Sequence, residues 1–355
     1  MKHAVFLVLM LTLVSELPVL EANVLPRPLR LRRINRKIQG QVLDFTNNHG
    51  RDNRIFSPAM GEKRDMYVYL PAGYDPKKCY PLGIYLHGFI SDEEHFLEDV
   101  VIPFDQAMRE GRLPPMILAC PDGSPYGIDC LTTTGTFYVN SLLGNFEDYL
   151  VQDVYNFLMK NFPIRPEPEA HALLGVSMGG GAAFNKVIKH RDKFGVAATF
   201  APPVNLRWIS CRGEYFDNFD PNCWCYREDF SRGRDVVGIF FRGLVKIRLR
   251  SFIFPIYGKG NPDMAALIAR ENPIELLDTR NVGPGFAEFY IAYGGKDQFN
   301  LDAQVESFLY RARQRGVEVT VDYDPEGTHS EETALKMLPA MLEWLRVRIE
   351  PYSPK

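Results

Sequence analysis

From about residue 38 onward, short apolar runs alternate with longer amphipathic stretches. Eight runs have the length, the β-branched and aromatic content and the turn-rich borders of strands: KIQGQVLDF, DMYVYLP, PLGIYLHG, MILACPDG, AHALLGVS, GVAATFAP, AEFYIAYGG and VEVTVDYD. DMYVYLP alternates polar and apolar positions, which suits antiparallel pairing near a sheet edge. PLGIYLHG, MILACPDG and ALLGVS are nearly continuous apolar runs, as strands covered on both faces should be. Between the runs the period lengthens. Asn145 to Phe162 sets Phe146, Tyr149, Leu150, Val154, Phe157 and Leu158 at helical spacing, with Asn145 as N-cap and Asp148 near the positive end of the dipole. Glu331 to Ile349 repeats the pattern, with Leu335, Leu338, Leu342, Leu345 and Val347 as its apolar face. Strands and helices in alternation predict an α/β fold with a mainly parallel central sheet flanked by helices.

Two regions depart from this rhythm. Between Pro203 and about Pro284 the pattern dissolves into Trp-, Cys- and Arg-rich sequence that includes DVVGIFFRGLVKIRLRSFIF. We read residues 203–284 as a cap-like insertion lying over the strand ends, packed rather than a mobile lid. At the other end, a basic start is followed by the apolar run Ala4 to Val14 and then SELPVLEA. That layout predicts a signal peptide over residues 1–22, cleaved after Ala22, and therefore a secreted or periplasmic protein. The run is shorter than the roughly 20 residues of a spanning helix, and no stable membrane span is expected. Residues 23–37 carry six basic side chains and no acidic one, and are read as a flexible, solvated leader ahead of a domain over 38–350.

Composition narrows the function. Lys+Arg 41 against Asp+Glu 44 leaves a net charge of −3, which provides no global field for a nucleic acid partner. Six cysteines in an exported chain make disulfides plausible, with at least one expected among Cys211, Cys223 and Cys225. Cys120 ends the apolar run MILAC and could instead be a buried thiol. The C-W-C at 223–225 lacks zinc-ligand spacing and a nearby histidine, so no metal site is expected.

The candidate chemistry lies in Gly175-Val-Ser177-Met-Gly179, a G-x-S-x-G sequence between a strand pattern and a helix pattern. A turn that tight strains the serine backbone, and the elbow glycines Gly175 and Gly179 remove side chains that would clash. A serine hydroxyl needs a base, and the base a carboxylate, in the chain order serine, acid, histidine. Of seven histidines only His329 follows Ser177 in a loop; His190 falls on the helix behind the serine. Asp297, at the end of the strand pattern AEFYIAYGG, is the best-placed carboxylate, ahead of Asp263, Asp278, Asp322 and Asp324. Backbone N–H groups of Met178 and Phe89 are the candidate oxyanion donors, the latter from the H-G pair His87-Gly88 that ends a buried strand. His87 is then structural.

RDMYVYLPAGYDP, IYLHG, FYVNSLLGNFEDYLVQDV, LLGVSMGGGAAF, GGKDQF and GTHSEETALKMLPAMLEWL together resemble the putative-esterase branch of the α/β-hydrolases, which includes feruloyl esterases, esterase D and the mycolyltransferases. The likeness runs from about Gln41 to Arg348 and departs at the insertion. It implies an α/β-hydrolase fold, with Ser177 as nucleophile, Asp297 as acid and His329 as base. The expected function is an exported carboxylesterase acting through an acyl-serine, without a cofactor, on a small or saccharide-linked ester such as a feruloyl ester. An acyltransferase or lipase-like enzyme on the same triad, and a non-catalytic binding protein of the same fold, are the alternatives.

Overall fold

The computed structural model describes residues 27–125, 135–231 and 233–355. The signal-peptide expectation therefore lies outside the described residues, as does Cys130. All eight strand patterns become strands of one sheet: β1 (Gln41–Phe45), β2 (Met66–Leu70), β3 (Leu82–Leu86), β4 (Ile117–Pro121), β5 (His171–Val176), β6 (Val196–Phe200), β7 (Glu288–Gly294) and β8 (Thr320–Asp324), in the order β1-β2-β4-β3-β5-β6-β7-β8. β1, β2 and β4 pair antiparallel, and every other neighbour pair is parallel. Buried strands alternate which face they serve. Leu173 packs under α3 (Met178–Lys189) and α5 (Leu301–Gln314), while Ala172 and Leu174 pack towards α2 (Ile102–Arg109) and α6 (Glu331–Ile349).

The segment expected to be a flexible basic leader is helical from Arg27 to Lys37, here α1. Arg30, Ile34 and Ile38 recur every four residues, so one stripe of an otherwise basic segment faces inward. Ile34 is fully buried, and Arg30 is buried against Glu94 at 3.2 Å and Glu98 at 3.7 Å. Other expectations need correction at their ends. Phe146–Asn161 is helical with a π-helical turn over Tyr149–Val154, but Asn145 does not cap it. Its side chain donates to Ala59 O, and Asn140 Oδ1 instead accepts the first-turn N–H groups of Glu147 (3.0 Å) and Asp148 (3.2 Å). α6 has the expected span, yet Leu335 and Val347 are 45 and 50 % exposed, and its buried side is carried by Met337, Leu342, Trp344, Leu345 and Ile349.

The insertion contains two hairpins, Trp208–Ser210 with Trp224–Tyr226 and Val236–Phe240 with Val245–Arg248. The helix α4 (Arg250–Tyr257) and the helices Met264–Glu271 and Pro273–Thr279 follow them. The first hairpin is closed by a Cys211–Cys223 disulfide. Cys120 is buried in β4, and Cys225 is exposed with a free thiol. The insertion has its own small core of Phe230, Val237, Leu249, Ile253, Met264 and Ile268.

At the β5–α3 junction the backbone has almost no room. A Cβ on Gly179 would stand 1.9 Å from Leu86 O at the end of β3, and one on Gly175 2.4 Å from Gly179 O. A Gly179→Ala variant should therefore lose at least about 2 kcal/mol of stability, because the strand carbonyl cannot yield as a flexible side chain could. Urea unfolding of the variant checks this.

Candidate active site

Ser177 occupies the residue between β5 and α3 with φ 52° and ψ −120°, a left-handed conformation that costs a non-glycine residue strain. Its N–H donates to Phe200 O on β6 at 2.9 Å, and its own carbonyl accepts the first helical bond from Gly181 N at 3.0 Å. The side chain is thereby held at the C-terminal edge of the sheet, over the positive end of α3.

Asp297 and His329 arrive on two loops that are laced together. Gly295 N donates to Asp324 O at 2.9 Å and Lys296 N to Gly327 O at 2.8 Å, joining the turns after β7 and β8. Glycine is required at that contact: a Cβ on Gly294 would lie 2.3 Å from Gly327 O. The result is an unbroken relay. His329 Nδ1 donates to Asp297 Oδ2 at 2.7 Å, which leaves Nε2 as the acceptor of the Ser177 hydroxyl at 3.0 Å. Asp297 is buried and its other oxygen accepts Phe299 N at 2.8 Å, while His329 keeps a small exposure. Three of the four competing carboxylates are engaged elsewhere: Asp278 with Arg311 at 2.7 Å, Asp322 with the Tyr290 hydroxyl at 3.1 Å and Asp324 with Lys336 at 2.6 Å.

Met178 is the first residue of α3, so its N–H has no acceptor within the helix. Gly88 abuts the elbow, with its would-be Cβ 3.7 Å from Ser177 Cβ, and this brings the Gly88-Phe89 turn beside the nucleophile. His87 is structural, as expected. Its Nδ1 donates to Gly88 O at 2.9 Å and its Nε2 accepts Gly123 N–H at 2.8 Å, which pins the turn. His190 faces away from the site and bonds Glu147 at 2.8 Å.

Three residues of the site were not read from the sequence. Gln298 Oε1 accepts His329 N–H at 2.8 Å, and its backbone carbonyl accepts Ile239 N–H from the second hairpin at 3.0 Å. The Phe299 ring packs edge-on to His329, with centroids 4.9 Å apart, and also meets Phe240 and Phe252 of the insertion. Tyr215 donates its hydroxyl to Phe299 O at 2.8 Å, and burial pushes that hydroxyl's pKa up, keeping it a donor. Only the D-Q-F run after GGK hinted at this clamp; its partners lie about 30 to 90 residues away in sequence.

Ser177 and His329 open into a cavity of about 1040 Å³, walled by aromatic and aliphatic side chains that include Phe89, Phe137, Phe252 and Leu338. Phe89 and Phe252 meet at 4.8 Å, so the insertion roofs the side on which the Phe89 turn lies. Below the loop of Asp297, burial and then the Asp297 carboxylate push Asp302 up to about 6.

Strand order, nucleophile elbow and relay together define a serine hydrolase of the α/β-hydrolase class. The chain belongs to the putative esterase family, whose model, described as "Putative esterase", matches residues 57–334. Among curated proteins it is similar to the S-formylglutathione hydrolase of Mus musculus, 28% identical over 158 residues, covering 40% of this chain and 53% of the relative. The chain thus spans about half the length of the curated relatives it matches. Among solved structures it is similar to a ferulic acid esterase, with TM-score 0.60, 18% identity and coverage of 88% of this chain and 99% of the other. It is similar in the same degree to the S-formylglutathione hydrolase of Agrobacterium tumefaciens, with TM-score 0.60, 17% identity and coverage of 88 and 96%. These structural likenesses establish the fold.

Two outcomes follow from the clamp and from Asp302. Gln298→Ala frees the backbone of His329, and should lower kcat by about 10- to 100-fold with a much smaller change in KM, the signature of a misplaced base; steady-state kinetics on a soluble aryl ester checks it. Asp302 has a raised pKa in the fold, so its contribution to stability is greatest near pH 4 and is lost as pH rises through about 6. Asp302→Asn should therefore gain stability relative to wild type at pH 8 and not at pH 4, as measured by denaturant unfolding.

Proposed function

We propose that the protein is an exported serine carboxylesterase that cleaves esters of a bulky, apolar acyl group, hydroxycinnamoyl esters of carbohydrate among them. The observation that carries this reading is the Ser177–His329–Asp297 relay opening into an apolar cavity. In the first step His329 Nε2 takes the hydroxyl proton as Ser177 Oγ attacks the ester carbonyl, and Asp297 stabilises the imidazolium. The oxyanion falls to the N–H groups of Met178 and Phe89, each donor of this kind being worth about 10²–10³ in rate. Collapse breaks the ester C–O bond, and His329 returns its proton to the departing alkoxide. Water then attacks the acyl-serine with His329 again as base, and the carboxylic acid leaves.

The apolar walls support an acyl group of hydroxycinnamoyl size or larger in preference to a formyl group. The likeness to a ferulic acid esterase supports the same class. The Cys211–Cys223 bond supports export to a secreted or periplasmic location, because disulfides persist in oxidising compartments.

The purified protein should be labelled by a fluorophosphonate and should hydrolyse aryl esters. Ser177→Ala should abolish labelling and cut hydrolysis on the order of 10⁶-fold. Unchanged turnover in a folded Ser177→Ala protein would overturn the assignment, and an unlabelled, inactive wild type would favour a binding protein. Across a panel of acetyl, feruloyl and long-chain esters, kcat/KM should rise with the size of the apolar acyl group.

A further inference from the structure

The second hairpin of the insertion has two chemically opposite faces. In its return strand Val245 and Ile247 alternate with Lys246 and Arg248, and the cationic side chains are exposed. The inner side meets the site: Phe240 packs on Phe299 at 5.1 Å, and the backbone at Gly238 lies so close to Phe299 that a Cβ there would stand 2.7 Å from its ring. Arg242, Lys246 and Arg248 of the hairpin and Arg250 at the start of α4 are all exposed, and Lys246, Arg248 and Arg250 also border the cavity. Between them the tip holds Leu244, which is 81 % exposed.

The charge is segregated in sequence as well as in space. From Val236 to Pro262 there are five cationic side chains and not one carboxylate, in a chain whose net charge is −3. Among the described residues Arg242, Lys246 and Arg250 form no ion pair, and Arg248 donates to a backbone carbonyl, that of Arg234. Arg207 and Arg212 of the insertion are, by contrast, neutralised locally, by Glu275 at 2.7 Å and Asp217 at 2.9 Å. Arg234, Lys259, Arg270 and Arg280 of the insertion likewise form no ion pair among the described residues, but the densest run of such cations, Arg242 to Arg250, lies on and next to the hairpin whose Phe240 packs on Phe299, the ring that meets His329.

We propose that the outer face of this hairpin docks on an anionic lipid surface. Cations flanking an exposed leucine fit a bilayer interface, where charge is drawn to the headgroups and the apolar side chain enters the acyl boundary. An acidic polysaccharide would satisfy the cations and leave Leu244 in water, which makes it the weaker fit. Docking in this orientation brings the roof of the apolar cavity against the surface, so that the ester presented to Ser177 is one with a lipid acyl chain. This last step rests on the esterase reading, whereas the docking does not.

The test is sedimentation of the full chain with phosphatidylglycerol-containing vesicles and with pure phosphatidylcholine vesicles, at low salt and at about 0.5 M salt, where surface charge is screened within a few ångströms. Each basic side chain near such a surface is worth about fivefold in partitioning, so R242E/K246E/R250E should weaken binding to the anionic vesicles by at least about 100-fold. Leu244→Ser should weaken it less; Leu244→Ser and the single variant Arg242→Glu, at residues that do not line the cavity, should keep wild-type turnover of a soluble aryl ester. Partitioning that is indifferent to lipid charge, or unaltered in the triple variant, would overturn the proposal. So would binding of polygalacturonate in place of vesicles. An inactive wild type that still shows charge-dependent vesicle binding would sink the esterase reading and uphold the docking surface.

Discussion

The tight backbone passage at the top of β5 is the constraint on which the rest of the site depends. Gly175 backs onto the Gly179 carbonyl and Gly179 onto that of Leu86, so three backbone segments meet where a single methyl group would not fit. This contact forces Ser177 into its left-handed conformation and aims its side chain out of the sheet. It also starts α3 directly beneath the hydroxyl and sets the end of β3, with its Gly88-Phe89 turn, against the elbow. Nucleophile, helix dipole and candidate oxyanion donors are therefore one geometric fact. None of them can move independently of the others.

The base and its carboxylate depend on a second close contact, between Gly294 and Gly327, and on the insertion. Segment 297–300 is gripped from above: Ile239 N bonds the Gln298 carbonyl, Tyr215 bonds the Phe299 carbonyl, and Asn300 Nδ2 donates to Tyr215 O at 2.7 Å. The insertion thus acts as a wall of the cavity and as part of the frame that orients His329. It also has a small hydrophobic core of its own. A change at Phe240, on the inner side of the hairpin, can reach the imidazole through one aromatic ring.

What was legible in the sequence had local causes. Most of the eight strands are apolar runs of strand length with turn-forming borders, and burial of the central ones on both faces left no competing period to confuse them; the edge strands β1 and β8 are partly exposed. Ser177, Asp297 and His329 could be read because each follows a strand and their order admits few assignments. What was not legible depended on distant partners. Arg30 and Ile34 of α1 look like part of a solvated basic tail until Glu94, 64 residues on, provides the counter-charge. The cap of the helix at Phe146 comes from Asn140, in a short hairpin of Asn140–Ser141 with Gly144–Asn145 that the local sequence does not announce. Leu335 has the periodicity of a core residue but is left half exposed on α6 at the cavity wall.

The rear of α3 explains how the strained serine is held. Lys186 is fully buried there, 2.7 Å from Glu147, and Lys189 and His190 reach the same carboxylate. Burial alone would raise the Glu147 pKa, but His190 and Lys186 override it and hold the carboxyl below its usual range. Burial lowers the Lys186 pKa, with Glu147 opposing it. A pair of this kind adds little to stability over an apolar alternative, yet breaking it strands a charge and costs about 3–5 kcal/mol. Its effect is to fix position. Asn185 and Lys189 carry the tie onward to Glu271, at the end of a helix of the insertion. α3 is thus locked at its C-terminal end by ions and at its N-terminal end by backbone contact. A helix held at both ends can keep the serine that precedes it in a conformation that an isolated turn would relax.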